Sequence, residues 1–247
     1  MTKPEAPRRL RRAEAVLRQR SGRILLVLER HTDLHNQMAV LRTAEAMGLV
    51  YVWLVDDAVQ DQLPLLKKSV TKGAHGWLEI RTFEDTAECI EALRDEGWSI
   101  WATDLSAEAV VASNVNLAPL PEKVAIVMGR ESDGVSEEML QAADKRIFLP
   151  MYGFTESFNL SVATGMLLQR LFDICPEAHG NLTADQRNTI RASWYSKLGG
   201  TGWESEYAQW LESPPEPAET LRPDPELRRP RMPKKLAKKL GIDPKTL

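Results

Sequence analysis

The sequence predicts an α/β fold built on a parallel sheet, and three observations carry that prediction. Six short apolar runs rich in β-branched and aromatic residues recur: ILLVLE (24–29), VYVWLV (50–55), HGWLEIRTF (75–83), SIWATDL (99–105), VAIVMG (124–129) and RIFLPM (146–151). Helical patterns separate most of them, at 37–47, 84–96 and 136–143. The runs are apolar almost without alternation, as strands covered on both faces are, and strands interleaved with helices read as βαβ units.

The elements follow in order. In HNQMAVLRTAEAMG (35–48), Gly48 supplies a left-handed cap after one short helix. Met38, Ala39, Val40, Leu41, Ala44, Ala46 and Met47 make that helix apolar on most sides, so it is expected to be buried. Arg42 in its middle is then an anomaly, because a guanidinium keeps its charge at any ordinary pH. Asn36 stands where the helix should begin. After TFED, residues 84–96 form a second helix. Ser136 caps the third, with Glu137 and Glu138 favoured in its first turn by the helix dipole. The run 146–151 ends at Pro150, a glycine turn follows, and a helix is expected from about Ser157 to 170, with Ser157 and Asn159 in its first turn. Thr183 opens a last long helix to 198. Seven prolines then cluster between 213 and 233, an extended linker, before the basic stretch KKLAKKLG. No internal repeat is visible.

The chain has 247 residues, 43% of them apolar, enough for one large domain with appendages. The expected organisation is a basic extension (1–20), a main domain (21–175), a C-terminal helical extension (176–212), the proline-rich linker (213–233) and a basic tail (234–247). No run of eighteen apolar residues exists, so no membrane span is expected. The N-terminus lacks the apolar region of a secretory signal, and it is too poor in serine for a transit peptide. Cys89 and Cys175 are the two cysteines; with four scattered histidines they suggest neither a disulfide framework nor a metal site. A reducing, cytoplasmic setting is expected. The net charge of -3 hides an asymmetry. Residues 1–20 carry +5, residues 228–247 carry +7, and the interior therefore about -15. Two basic ends on an acidic body suggest a polyanionic partner, with Arg8, Arg9, Arg11, Arg12, Lys234, Lys235, Lys238 and Lys239 as contacts.

In open parallel sheets ligands sit beyond the carboxyl ends of the strands. After the first run stands RHTDLHN, so the glycine-rich dinucleotide fingerprint is absent, and so is a P-loop lysine motif. In MGRESDGVSEEML (128–140), Gly129 permits close backbone approach and Gly134 a turn, while Glu131 is required by neither. Ser157 and Asn159 would ordinarily be read as caps. Three such polar corners after strands (Asn36 with Arg42, Glu131, Ser157 with Asn159) are harder to dismiss as ordinary caps and turns than any one alone.

Together, HNQMAVLRTAEAMG, VMGRESDGVSEEMLQAAD and LPMYGFTESFNLSVA resemble, in order and spacing, the three motifs of the SpoU family of RNA ribose 2'-O-methyltransferases. These belong to the SPOUT class, and the match is strongest with the TrmH branch, which methylates tRNA guanosine. The third motif usually reads Ser-Leu-Asn; here it is Ser157-Phe158-Asn159. The resemblance implies S-adenosylmethionine as methyl donor and no metal. It also implies a trefoil knot near 145–165 and a homodimer through the knot helices. The implied cofactor residues are Thr103, Gly129, Leu149, Met151 and Phe158. The implied catalytic set is Arg42, with Asn36, Glu131, Ser157 and Asn159. Arg42 would either lose a proton to a nearby RNA phosphate or stay charged and stabilise the developing alkoxide. The implied substrate is tRNA at the D-loop guanosine (position eighteen), with ribosomal RNA as the alternative. A non-catalytic RNA-binding protein that keeps the fold is the reading from another class.

Overall fold

The computed structural model describes residues 6–30, 33–55, 73–202, 207–219 and 221. The described residues form a seven-stranded sheet. Its strands are β1 (Ser21–Glu29), β2 (Leu49–Val55), β3 (Glu79–Phe83), β4 (Ser99–Thr103), β5 (Val110–Val111), β6 (Val124–Met128) and β7 (Lys145–Phe148). Their order is β3-β2-β1-β6-β4-β7-β5, and every pair is parallel. The helices are α1 (Arg8–Leu17), α2 (Leu34–Ala46), α3 (Thr86–Asp95), α4 (Asn114–Leu117), α5 (Glu137–Ala142), α6 (Leu160–Ile174), α7 (Ala184–Gly199) and α8 (Gln209–Glu212).

The central strand explains the unbroken apolar runs. Ile24, Leu26 and Leu28 face one core, shared with α2 and α6, while Leu25 and Val27 face another, shared with α3 and α5. Alternate residues point to opposite faces, and helices cover both. All five are at most 1% exposed, and each contributes roughly 1.5–3 kcal/mol of transfer free energy. No described helix is long and apolar enough to cross a membrane.

Local chemistry sets the boundaries. Gly48 takes φ +90° after α2. Ser136 accepts the Met139 N–H to open α5, and Thr183 with Gln186 forms a capping box on α7. Several expectations shift. The run 75–83 divides into a 3-10 turn at Ala74–Trp77 and the shorter β3. Helix α2 starts at Leu34 because Asp33 caps it, accepting the His35 and Asn36 N–H groups. Helix α6 starts at Leu160 with Asn159 as its cap, so Ser157 lies in the loop before it. The largest correction concerns α2, which is buried on one side only. His35, Arg42 and Ala46 lie exposed at helical spacing. Alanine lent the helix an apolar composition without requiring burial, and Arg42 is no buried cation.

The N-terminal segment is also more than charge. Leu10, Ala13 and Leu17 of α1 join Ile190, Trp194 and Tyr195 of α7 in a third core. At its centre Glu14, 2% exposed, accepts hydrogen bonds from Arg191 Nε (2.7 Å), Arg191 Nη2 (2.9 Å) and the Tyr195 hydroxyl (2.8 Å). Burial, then Glu14, raises the Tyr195 pKa, and the bond to Glu14 raises that of Arg191. Helices α1 and α7 thus hold each other through a paired buried charge.

A second buried acid organises the carboxyl edge of the sheet. Glu29, fully buried at the end of β1, accepts from the Thr86 hydroxyl (2.8 Å), the Ser136 N–H (2.7 Å) and the Ser136 hydroxyl. It ties the starts of α3 and α5 to the central strand. Glu29→Ala leaves three donors, one buried and two part-buried, without their acceptor and is expected to destabilise the fold by about 1.5–3 kcal/mol. Urea unfolding measures this, and a loss within about 0.5 kcal/mol, the range of an ordinary surface change, would contradict it.

Candidate active site

Because all the strands are parallel, the loops leaving β4, β6 and β7 open on one edge of the sheet. They surround a cavity of about 490 Å3. The loop after β6 is shaped by backbone contact. Arg130 and Gly134 exchange N–H···O bonds of 3.1 and 3.0 Å, and a Cβ on Gly129 would lie 2.0 Å from the Gly134 carbonyl carbon. Glycine is therefore required at 129 by packing, and Gly134, at φ +69°, by conformation. Asp133 closes the loop by accepting from Arg130 Nε (2.7 Å), and Arg30 stands 3.5 Å away. The hydrogen bonds from Arg130 and Ser132, with the nearby guanidinium charges, hold the Asp133 carboxyl down at about 2. Arg30 itself adopts φ +55°, uncommon outside glycine, and its N–H bonds the Val55 carbonyl (2.6 Å).

Thr103, Gly129, Leu149, Met151 and Phe158 all line this cavity, as do Glu131 and Ser157. The Thr103 hydroxyl is turned to the Val127 carbonyl (3.0 Å) and ties β4 to β6. Leu149, Phe158 and Leu160 supply apolar wall. The carboxylates of Asp104, Glu131, Asp133 and Glu156 outnumber the one lining cation, Arg130, so the lining is acidic.

Next to the cavity, the three polar corners meet. Asn36 donates to Glu131 Oε1 (2.9 Å) and to Asp33 (3.1 Å), and Asn159 donates to Asn36 Oδ1 (3.2 Å). Residues separated by up to 123 positions thus form one hydrogen-bonded chain. Asp33, Asp104 and Glu156 were absent from the sequence prediction. The Asp33 signal was present, since Asp-Leu-His-Asn before an apolar-periodic stretch is a capping pattern.

Arg42 stands apart. It does not pair with Glu131, whose carboxylate is taken by Asn36. It is exposed, and it borders a different cavity with Arg9 and Arg12. Arg8, Arg9 and Arg12 are exposed on α1, while Arg11 is partly covered and its carbonyl accepts the Ala218 N–H (2.9 Å). Lys234, Lys235, Lys238 and Lys239 lie outside the described residues.

This arrangement has relatives. The signature of the SpoU rRNA Methylase family matches residues 23–169. A tRNA (guanosine(18)-2'-O)-methyltransferase of Aquifex aeolicus is 32% identical over 161 residues, which is 65% of this chain and 74% of that protein. Among solved structures, the Aquifex aeolicus TrmH/SpoU tRNA modifying enzyme superposes with a TM-score of 0.66 at 29% identity, covering 77% of this chain and 95% of that one. The AdoMet-bound rRNA methyltransferase of Sinorhizobium meliloti superposes at 0.55 with 26% identity, covering 64% and 60%. With the signature spanning more than half its length and the three motif segments meeting at one sheet edge, the chain belongs to the SpoU methylase family.

Proposed function

We propose that the protein transfers a methyl group from S-adenosylmethionine to the 2'-hydroxyl of a tRNA guanosine, the D-loop residue at position eighteen, in the cytoplasm. One observation carries the reading: Asn36, Glu131 and Asn159, from three distant motifs, join in one hydrogen-bonded chain beside the cavity. The Aquifex relative supplies the substrate. The cavity suits the cofactor. Its apolar wall fits a purine, its acidic lining a sulfonium and an ammonium, and the loop backbone around Gly129 can bond the base edge.

Bound S-adenosylmethionine supplies an electrophilic methyl on a sulfonium. The residues must then align a ribose oxygen with it and stabilise the charge that develops. Asn36 and Asn159 hold the ribose, Glu131 orients Asn36, and Ser157 fixes the loop against the cofactor. Arg42, always charged, stabilises the alkoxide while the hydroxyl proton leaves to solvent.

Arg42 reaches a reaction centre if two copies pair and it serves the cavity of its partner. The apolar side of α6 is consumed within the chain: Leu160, Leu167, Leu168 and Leu171 are buried in its own core and Ala163 packs against it. A different surface supports pairing. Leu105, Val110, Tyr152, Phe154 and Val162, all on the segments 105–111 and 152–162, are exposed apolar side chains; Tyr152 is 95% exposed. Exposed apolar side chains concentrated on two chain segments are suited to a partner. The same segments support a knot, since β7 lies between β4 and β5, so the connection 104–109 must cross it.

Three outcomes are expected. With labelled S-adenosylmethionine and unmodified bulk tRNA, nuclease digestion and mass spectrometry yield 2'-O-methylguanosine in the D loop. Label on a base contradicts the ribose assignment, and label confined to ribosomal RNA would favour the substrate class named for the Sinorhizobium relative. Arg42→Ala abolishes transfer while cofactor affinity stays within about threefold and stability within about 0.5 kcal/mol, as for a surface change; retained activity or unfolding contradicts the role. Light scattering at micromolar concentration gives twice the 27.8 kDa chain mass, and a monomer mass removes the dimer.

A further inference from the structure

The second cavity, about 390 Å3, lies between α1, the end of α2, the 3-10 turn and α7. Its volume is within the range of small-molecule sites, about 300–1,000 Å3. Arg9, Arg12, Arg20 and Arg42 line it together with Trp77 and Trp194. One carboxylate, Glu45, belongs to the lining, and it is already bound to Arg20 Nη2 (2.6 Å). Arg20, 1% exposed, also donates to the Glu45 and Leu49 carbonyls, and its guanidinium carbon stands 5.2 Å from the Trp194 ring centre.

The donors in this cavity outnumber the acceptors. Arg12 and Arg42 make no hydrogen bond or ion pair among the described residues, and Arg9 spends one arm on the Leu198 carbonyl (3.0 Å). Trp194 is 2% exposed, and its indole N–H has no partner among the described residues; nor has Arg20 Nε. Both of those nitrogens are enclosed and only add to the donor excess of the wall; the open guanidinium groups of Arg12 and Arg42 are the ones that an acceptor-rich group entering the cavity would meet. Guanidinium groups select a phosphate. The Trp77 and Trp194 rings, 5.6 Å apart at 81°, add aromatic surface on which a base can rest.

We propose that this cavity takes one nucleotide unit of RNA, its phosphate held by Arg9 and Arg12 and its base against Trp77, at a place separate from the methylation cavity of the same chain. The inference rests on the RNA-methylating reading and narrows it. It adds a fixed contact for a second residue of the substrate, and it gives the basic face of α1 a shape as well as a charge. A free mononucleotide offers the same chemistry, so the two sources must be separated.

The test is tryptophan fluorescence of the full chain, titrated with a 5'-phosphorylated RNA tetranucleotide, with GMP and with inorganic phosphate. The tetranucleotide is expected to quench saturably and to bind more tightly than GMP. Arg12→Gln weakens it by about tenfold and reduces the salt slope by about one, and Trp77→Phe removes part of the quench with the melting temperature unchanged. In tRNA methylation, Arg12→Gln raises KM for tRNA by about tenfold and leaves KM for S-adenosylmethionine as it was. Equal binding of GMP and the tetranucleotide overturns the assignment to an RNA chain. An unchanged affinity in folded Arg9→Gln, Arg12→Gln double variants overturns the site altogether and leaves the arginines and tryptophans as packing. Quenching that persists in a protein unable to methylate any RNA overturns the proposed reaction and not this site.

Discussion

The cavity at the carboxyl edge of the sheet depends on one backbone contact. After β6 the chain turns back so tightly that the Cα of Gly129 lies against the peptide joining Gly134 and Val135, with no room for a Cβ. Any other residue at 129 would push the two limbs of the loop apart, and with them Glu131 and Asp133. The loop is held from behind by Glu29, which takes both donors of Ser136, and closed in front by the Arg130–Asp133 pair. The buried interactions fix the loop's base, while the exposed ion pair, screened by water, contributes less.

From that loop the rest follows by topology. A parallel sheet gathers strand ends on one edge, so Thr103, Gly129 and Leu149 become neighbours although they are far apart in the chain. Polar residues that arrive with the neighbouring helices, Asn36 on α2 and Asn159 capping α6, then meet Glu131. Glu14, Arg191 and Tyr195 lock α1 onto α7, and this gives the second cavity its rigid wall. The two cavities differ in sign: the first is lined by an excess of carboxylates, the second by an excess of arginines. A cationic cofactor and an anionic strand would therefore sort themselves between them.

Much of this was legible in the residues. Strands covered on both faces appear as unbroken apolar runs, and β1, β2 and β6 read that way. Caps at Gly48, Ser136 and Thr183 are local chemistry and were read from local sequence. The cavity residues were reached through motif resemblance, since nothing in the spacing of Thr103 and Met151 says that they share a wall. Helix α1 was obscured because its many basic residues hid the Leu10, Ala13 and Leu17 spacing. Arg42 was misplaced because alanines make a helix look buried without obliging it to be. The insertion of β7 between β4 and β5 leaves no local trace, as strand order is decided by long-range packing.

The most direct test is the crystal structure of the protein soaked with S-adenosylhomocysteine, which carries the same adenosine and lacks the methyl. The adenosine is predicted to lie in the cavity between Gly129 and Phe158, with the cavity of Arg12 and Trp77 free of it. Adenosine bound between Arg12 and Trp77, with the first cavity untouched, would contradict the assignment of the methyl-donor site.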